Sequence, residues 1–95
     1  MTIYALSSGS GISGVAVVRI SGPDSATVLK LLTSKPLPPN RMATLRKINK
    51  INTSELIDEG LILWFQGPES YTGEDMVEIH IHGGKAVVQA LLDTI

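Results

Sequence analysis

The run Met76-Val77-Glu78-Ile79-His80-Ile81-His82 constrains the fold more than any other stretch of the chain. Val77, Ile79 and Ile81 fall on one side of an extended strand, and Met76, Glu78, His80 and His82 fall on the other. A period of two places one face in a core and leaves the second free for other work. That second face carries a carboxylate and two imidazoles, more polarity than packing requires. Gly83-Gly84 ends the run and a helical pattern follows, so the polar face leads into a strand-to-helix turn. Such turns are common ligand sites, because the backbone approaches closely and N–H groups face outward.

The remaining elements are read from apolar pattern and turn chemistry. Thr2–Leu6 is a short β-rich run, and 7–14 (SSGSGISG) is a loop by composition. Val15–Ser21 is rich in β-branched residues and reads as a strand. Gly22-Pro23-Asp24-Ser25 interrupts it, and Pro23 or Asp24 can open a helix reaching Leu32 or Thr33. A proline-rich connection covers 34–40, and 42–51 is a poorly alternating strand that turns over at Asn52-Thr53-Ser54. Gly60–Phe65 is an unbroken apolar run, expected at the sheet centre with both faces covered. The loop 66–73, the strand Asp75–His82 and a helix from Gly84 complete the chain. The expectation is an α+β fold: a mixed sheet of about five strands with two or more helices.

Length and composition narrow the class. Ninety-five residues make one domain. Hydrophobic content of 43% with 18% charged residues belongs to a globular chain rather than a disordered one. A formal net charge of −1 argues against gripping phosphate backbones by charge alone. The absence of cysteine excludes a disulfide framework, a thiolate metal site and a thiol nucleophile. No signal peptide or membrane-spanning run is read, so the expected location is the cytoplasm, with no membrane partner. The helical pattern at 86–95 has no stop signal, and residues 1–95 are therefore expected to be a single domain truncated at its C-terminal end.

Several motifs have a functional and a plain reading. Gly9-Ser10-Gly11-Ile12-Ser13-Gly14 spells a dinucleotide fingerprint, but that motif must open a helix and a β-branched run follows. Gly83-Gly84-Lys85 invites a P-loop reading, which fails because Ile79 and Ala86 stand where Gly and Ser or Thr are required. Glu78, His80 and His82 are spaced roughly 6.5–7 Å apart on one strand face and could bind zinc, although such a site usually recruits a second element. The plain reading is a polar strand face. A strand-held carboxylate also accepts two parallel N–H bonds, as from a guanidinium or the amino-pyrimidine edge of a pterin. Arg19, near the end of an apolar strand, is the second anomaly: either a salt-bridged or snorkelling residue, or a buried cation facing a ligand. Within 71–75, Thr72 and Tyr71 either belong to a solvated turn or contact a ligand or second subunit.

Three blocks then resemble a known family. Val15–Pro23, Asp58–Phe65, and Tyr71–Ile79 with His82-Gly83-Gly84 are similar, in order and spacing, to the N-terminal domain of the MnmE (TrmE) family of tRNA-modification GTPases. The resemblance implies a fold like the tetrahydrofolate-binding domain of the glycine-cleavage T protein. It implies a homodimer through this domain and a bound 5-formyl- or 5,10-methylene-tetrahydrofolate near the dimer interface. Arg19 and Glu78 match the folate-contacting Arg and Glu of the family. In the family the whole protein, with the flavoprotein partner MnmG, modifies C5 of the wobble uridine in tRNA, driven by GTP hydrolysis that uses magnesium and potassium. The folate-contacting Lys, the helical domain, the GTPase domain and the C-terminal cysteine motif would lie beyond Ile95. The fragment alone is then expected to have no catalytic residues, no metal site and no enzymatic activity of its own. The loop 8–14 departs from the family pattern, since it lacks the Arg of a Pro-Gly-Arg-Gly-Gly-like segment. Two other readings stay open: a dimerisation and partner-docking module without a working folate site, and a small metal hydrolase using Glu78, His80 and His82.

Overall fold

The alternating run forms the central strand of a five-stranded sheet, and the other strands are ordered around it as β1-β2-β5-β4-β3. The structure is a computed structural model and describes residues 1–7, 14–70, 72–82 and 84–95. Its elements are β1 (Ile3–Leu6), β2 (Val15–Ser21), α1 (Ser25–Thr33), β3 (Thr44–Asn49), β4 (Leu56–Phe65), β5 (Met76–His82) and α2 (Lys85–Thr94). The glycine-rich fingerprint at 9–14 falls almost wholly outside the described residues, as do Tyr71 and Gly83.

Every pairing between named strands is antiparallel. Parallel character is confined, among the described residues, to the isolated bridge between Asn40 and Trp64. The fold is thus α+β, with an antiparallel sheet where a mixed one was expected and two helices among the described residues.

The core lies on one face of the sheet. Val18, Ile20, Ile62, Val77 and Ile79 are fully buried there against Leu29 and Leu32 of α1 and Leu91 of α2. Register partners share a face in an antiparallel pair, so Ile79 opposite both Val18 and Ile62 builds the centre of this layer. Burying Ile79 alone is worth roughly 1.5–3 kcal/mol.

The apolar run in β4 does not take the sheet centre. It lies one strand off, because β5 returns between β2 and β4, and it begins earlier than the apolar signal because Leu56–Glu59 pair with β3. Nor are both of its faces covered: Ile62 is fully buried but Leu61 is 44% exposed. Both helices pack on the side of Ile62, leaving the other face uncovered among the described residues.

Two glycines are dictated by contact. A Cβ on Gly60 would stand 2.2 Å from the carbonyl oxygen of His80, so only glycine lets β4 approach β5 there. Gly22 has φ +136°, and a Cβ would stand 2.5 Å from the carbonyl oxygen of Met1. This turn ties β2 to α1: Ser25 N–H, the first of the helix, donates to the carbonyl of Gly22 at 3.2 Å, and the N–H of the preceding Asp24 donates to Thr2 Oγ1 at 2.8 Å.

Candidate functional site

The uncovered face is where the chemistry-bearing residues collect. Arg19 of β2 and Glu78 of β5 are direct register partners, 59 residues apart in the chain. Arg19 donates from Nε to Glu78 Oε2 at 2.9 Å, and its Nη2 lies 2.9 Å from the same oxygen as an ion pair. On the other carboxylate oxygen, Oε1, sits Nε2 of His80 at 3.1 Å. Glu78 is only 8% exposed, so these partners supply the hydrogen bonds that water would otherwise make. The two residues expected to hold a ligand are therefore brought together, and they are paired to each other.

The arrangement has a defined remaining capacity. An ionised carboxylate offers about four acceptor positions. The Arg19 guanidinium occupies Oε2 and His80 takes one position on Oε1, which leaves one position on Oε1 for an incoming N–H. A ligand donating two parallel N–H bonds must therefore displace one of the resident donors.

Arg19 also lines a cavity of about 190 Å³, bounded by Ile3, Tyr4, Ala5, Ser7, Ser21, Thr72 and Met76. Its walls come from β1, the end of β2 and the segment entering β5. A second hollow of about 200 Å³ lies across the face of the sheet and is lined by His80, His82, Glu59 and Leu61 among others. On β5, Glu78 stands between Met76 of the first and His80 of the second.

His82 does not join the Glu78 cluster. Its backbone N–H donates to Asp58 Oδ2 at 2.9 Å and its Nδ1 lies 2.9 Å from the same oxygen. Burial works against ionisation of Asp58, but hydrogen bonds from His82 and from the backbone of Glu59 outweigh it and hold the carboxyl below its ordinary range. Each imidazole is thus committed to a different carboxylate. Among the described residues no group of three or more His, Asp and Glu stands close enough to hold a metal ion. The zinc arrangement read from Glu78, His80 and His82 is not assembled.

Sequence reasoning missed the Asp58–His82 pair. Strand parity puts Asp58 in step with Ile62 and Trp64, so alternation alone hides it; the signal was an acid at the foot of an apolar strand.

The geometry stands beside a clear kinship. Residues 2–95 match the family described as GTP-binding protein TrmE N-terminus. The chain belongs to that family. Its similarity to the tRNA modification GTPase MnmE of Pelagibacter ubique (strain HTCC1062) is 75% identity over 91 residues, covering 96% of this chain and 20% of that protein. The MnmE of Sinorhizobium medicae (strain WSM419) is 58% identical over 92 residues, covering 97% of this chain and 20% of that protein. The human mitochondrial 5-taurinomethyluridine-[tRNA] synthase subunit GTPB3 is 50% identical over 95 residues, covering 99% and 19%. This TrmE-type domain therefore spans about a fifth of the length of the curated relatives it matches. No helix among its described residues is long and apolar enough to cross a membrane.

Proposed function

We propose that this chain is the cosubstrate-binding and dimerising N-terminal domain of a tRNA-modifying GTPase, and that Arg19 and Glu78 bind a reduced folate. The observation that carries the reading is the convergence of that guanidinium and that carboxylate on one uncovered sheet face beside a cavity. A cavity of about 190 Å³ is small against typical ligand pockets, so it suits one ring system, with the rest of the molecule lying across the sheet. Glu78 keeps Arg19 aimed and offers its last acceptor position to a ring N–H. The cosubstrate is 5-formyl- or 5,10-methylene-tetrahydrofolate, and the fold is shared with the folate-binding domain of the glycine-cleavage T protein. GTP, magnesium, potassium, tRNA and the flavoprotein partner are assigned in this reading to the parent protein as a whole, working in the cytoplasm on C5 of the wobble uridine.

Calorimetry of the full-length protein with 5-formyl-tetrahydrofolate tests it. Wild type should bind, and Glu78→Ala should lose at least about tenfold in affinity, since charged hydrogen bonds contribute roughly 1.5–3 kcal/mol. Equal affinity in the two proteins removes the folate site.

The exposed apolar side chains of the same face favour a second reading. Val15, Leu45 and Leu61 are 54%, 57% and 44% exposed, which suits a docking module with no working folate site. A protein that sediments as a dimer but takes up no folate is the outcome that reading requires.

A further inference from the structure

The cavity beside Arg19 has a second polar rim, made by Ser21 and Thr72. Ser21 Oγ donates to Thr72 Oγ1 at 2.8 Å, and Thr72 Oγ1 also accepts from the backbone N–H of Glu74 at 3.3 Å. A hydroxyl has one donor and two acceptor lone pairs. With both lone pairs engaged, Thr72 has only its own O–H left to offer. Arg19, on the same cavity, is likewise a donor only. Between them the walls are largely apolar, with Ile3, Ala5 and Met76. An apolar slot with donors at both rims takes a flat ring that carries an acceptor at its edge.

Thr72 is exposed, yet it is held in register with the sheet. Ser21 is the last residue of β2, 7% exposed and opposite Met76 in the ladder. The same segment is pinned again three residues on, where the carbonyl of Asp75 accepts from Gly22 N–H at 3.0 Å and from Ser25 Oγ at 3.1 Å. The hydroxyl is positioned by β2 and the start of α1, not by its own loop alone.

We propose that Thr72, held by Ser21, is a specificity-determining residue that donates its hydroxyl to a ring carbonyl of the ligand taken up beside Arg19. The assignment rests on the reduced-folate reading of the site, where that carbonyl is the 4-oxo group of the pterin ring. Replacing the oxo group by an amino group sets donor against donor. A site built around a hydrogen bond discriminates strongly against a ligand that cannot complete it.

The test is calorimetry of the full-length protein with 5-formyl-tetrahydrofolate and with its 4-amino-4-deoxy counterpart. Wild type should prefer the oxo compound. Thr72→Val should weaken the oxo compound about five- to tenfold, the scale of one neutral hydrogen bond, without weakening the amino compound. Thr72→Ser should restore the preference, and Ser21→Ala should reduce it in the same direction as Thr72→Val. Wild-type discrimination retained in both Thr72→Val and Ser21→Ala overturns the role of Thr72 while leaving the folate site standing. A wild-type protein that binds neither compound overturns both.

Discussion

Individual side chains around the candidate site are arranged by sharing carboxylates. Glu78 is divided between Arg19 and His80, and Asp58 serves both the backbone and the ring of His82. The second of these has a consequence in acid. Because the folded Asp58 titrates below its unfolded value near 3.9, the pair stabilises fully above about pH 4 and is lost as pH falls through the folded value. Urea midpoints measured between pH 6 and pH 3 should therefore drop for wild type. Asp58→Asn should be less stable at neutral pH, by on the order of 1–3 kcal/mol, and should show a flatter decline in acid. Parallel curves for the two proteins would show that Asp58 contributes nothing through its charge.

Between elements, the contact that decides the sheet is the approach of β4 to β5 at Gly60. Leu61 pairs with His80, Ile62 with Ile79 and Leu63 with Glu78, so a disturbance at Gly60 is felt along the strand that carries the site. Gly60→Ala places a Cβ against the backbone carbonyl of His80, which no rotamer can relieve. We expect a loss of roughly 1–3 kcal/mol by denaturant titration, typical of overpacking that forces a backbone shift. Amide exchange should quicken in β4 and β5 more than in β1. A neutral substitution would mean that the two strands separate locally without cost.

At the scale of the molecule, both helices cover one side of the sheet and, among the described residues, none covers the other. Leu45 and Leu61 are register partners on the bare side, both exposed. If this face carries the proposed dimer, Leu45→Glu with Leu61→Glu should raise the dimer dissociation constant about tenfold or more in sedimentation, since buried apolar anchors dominate interfaces. Far-UV circular dichroism should not change, because neither side chain belongs to the buried cluster. An unaltered dimer would move the interface elsewhere.

Much of this was legible in the chain because it depends on near neighbours. The alternation in 76–82 and the β-branched run in 15–21 announced β5 and β2, and the Gly22-Pro23-Asp24 signal opened α1 within two residues of its start. Glu78 and Arg19 stood out as charges in apolar strands, and the resemblance placed them in one site. The carboxylate chosen by each cation was not legible. Neither was the antiparallel order that puts β5 between β2 and β4, the offset position of the Gly60–Phe65 run, or the bond from Ser21 to Thr72. By itself the sequence determined which residues of β5 face inward, since side-chain direction follows a two-residue period and that strand alternates strictly. Only the tertiary structure decided which strands lie side by side, and hence that Arg19 meets Glu78 and His82 meets Asp58. Strand pairing is selected by the packing of the whole layer, and no local pattern encodes it.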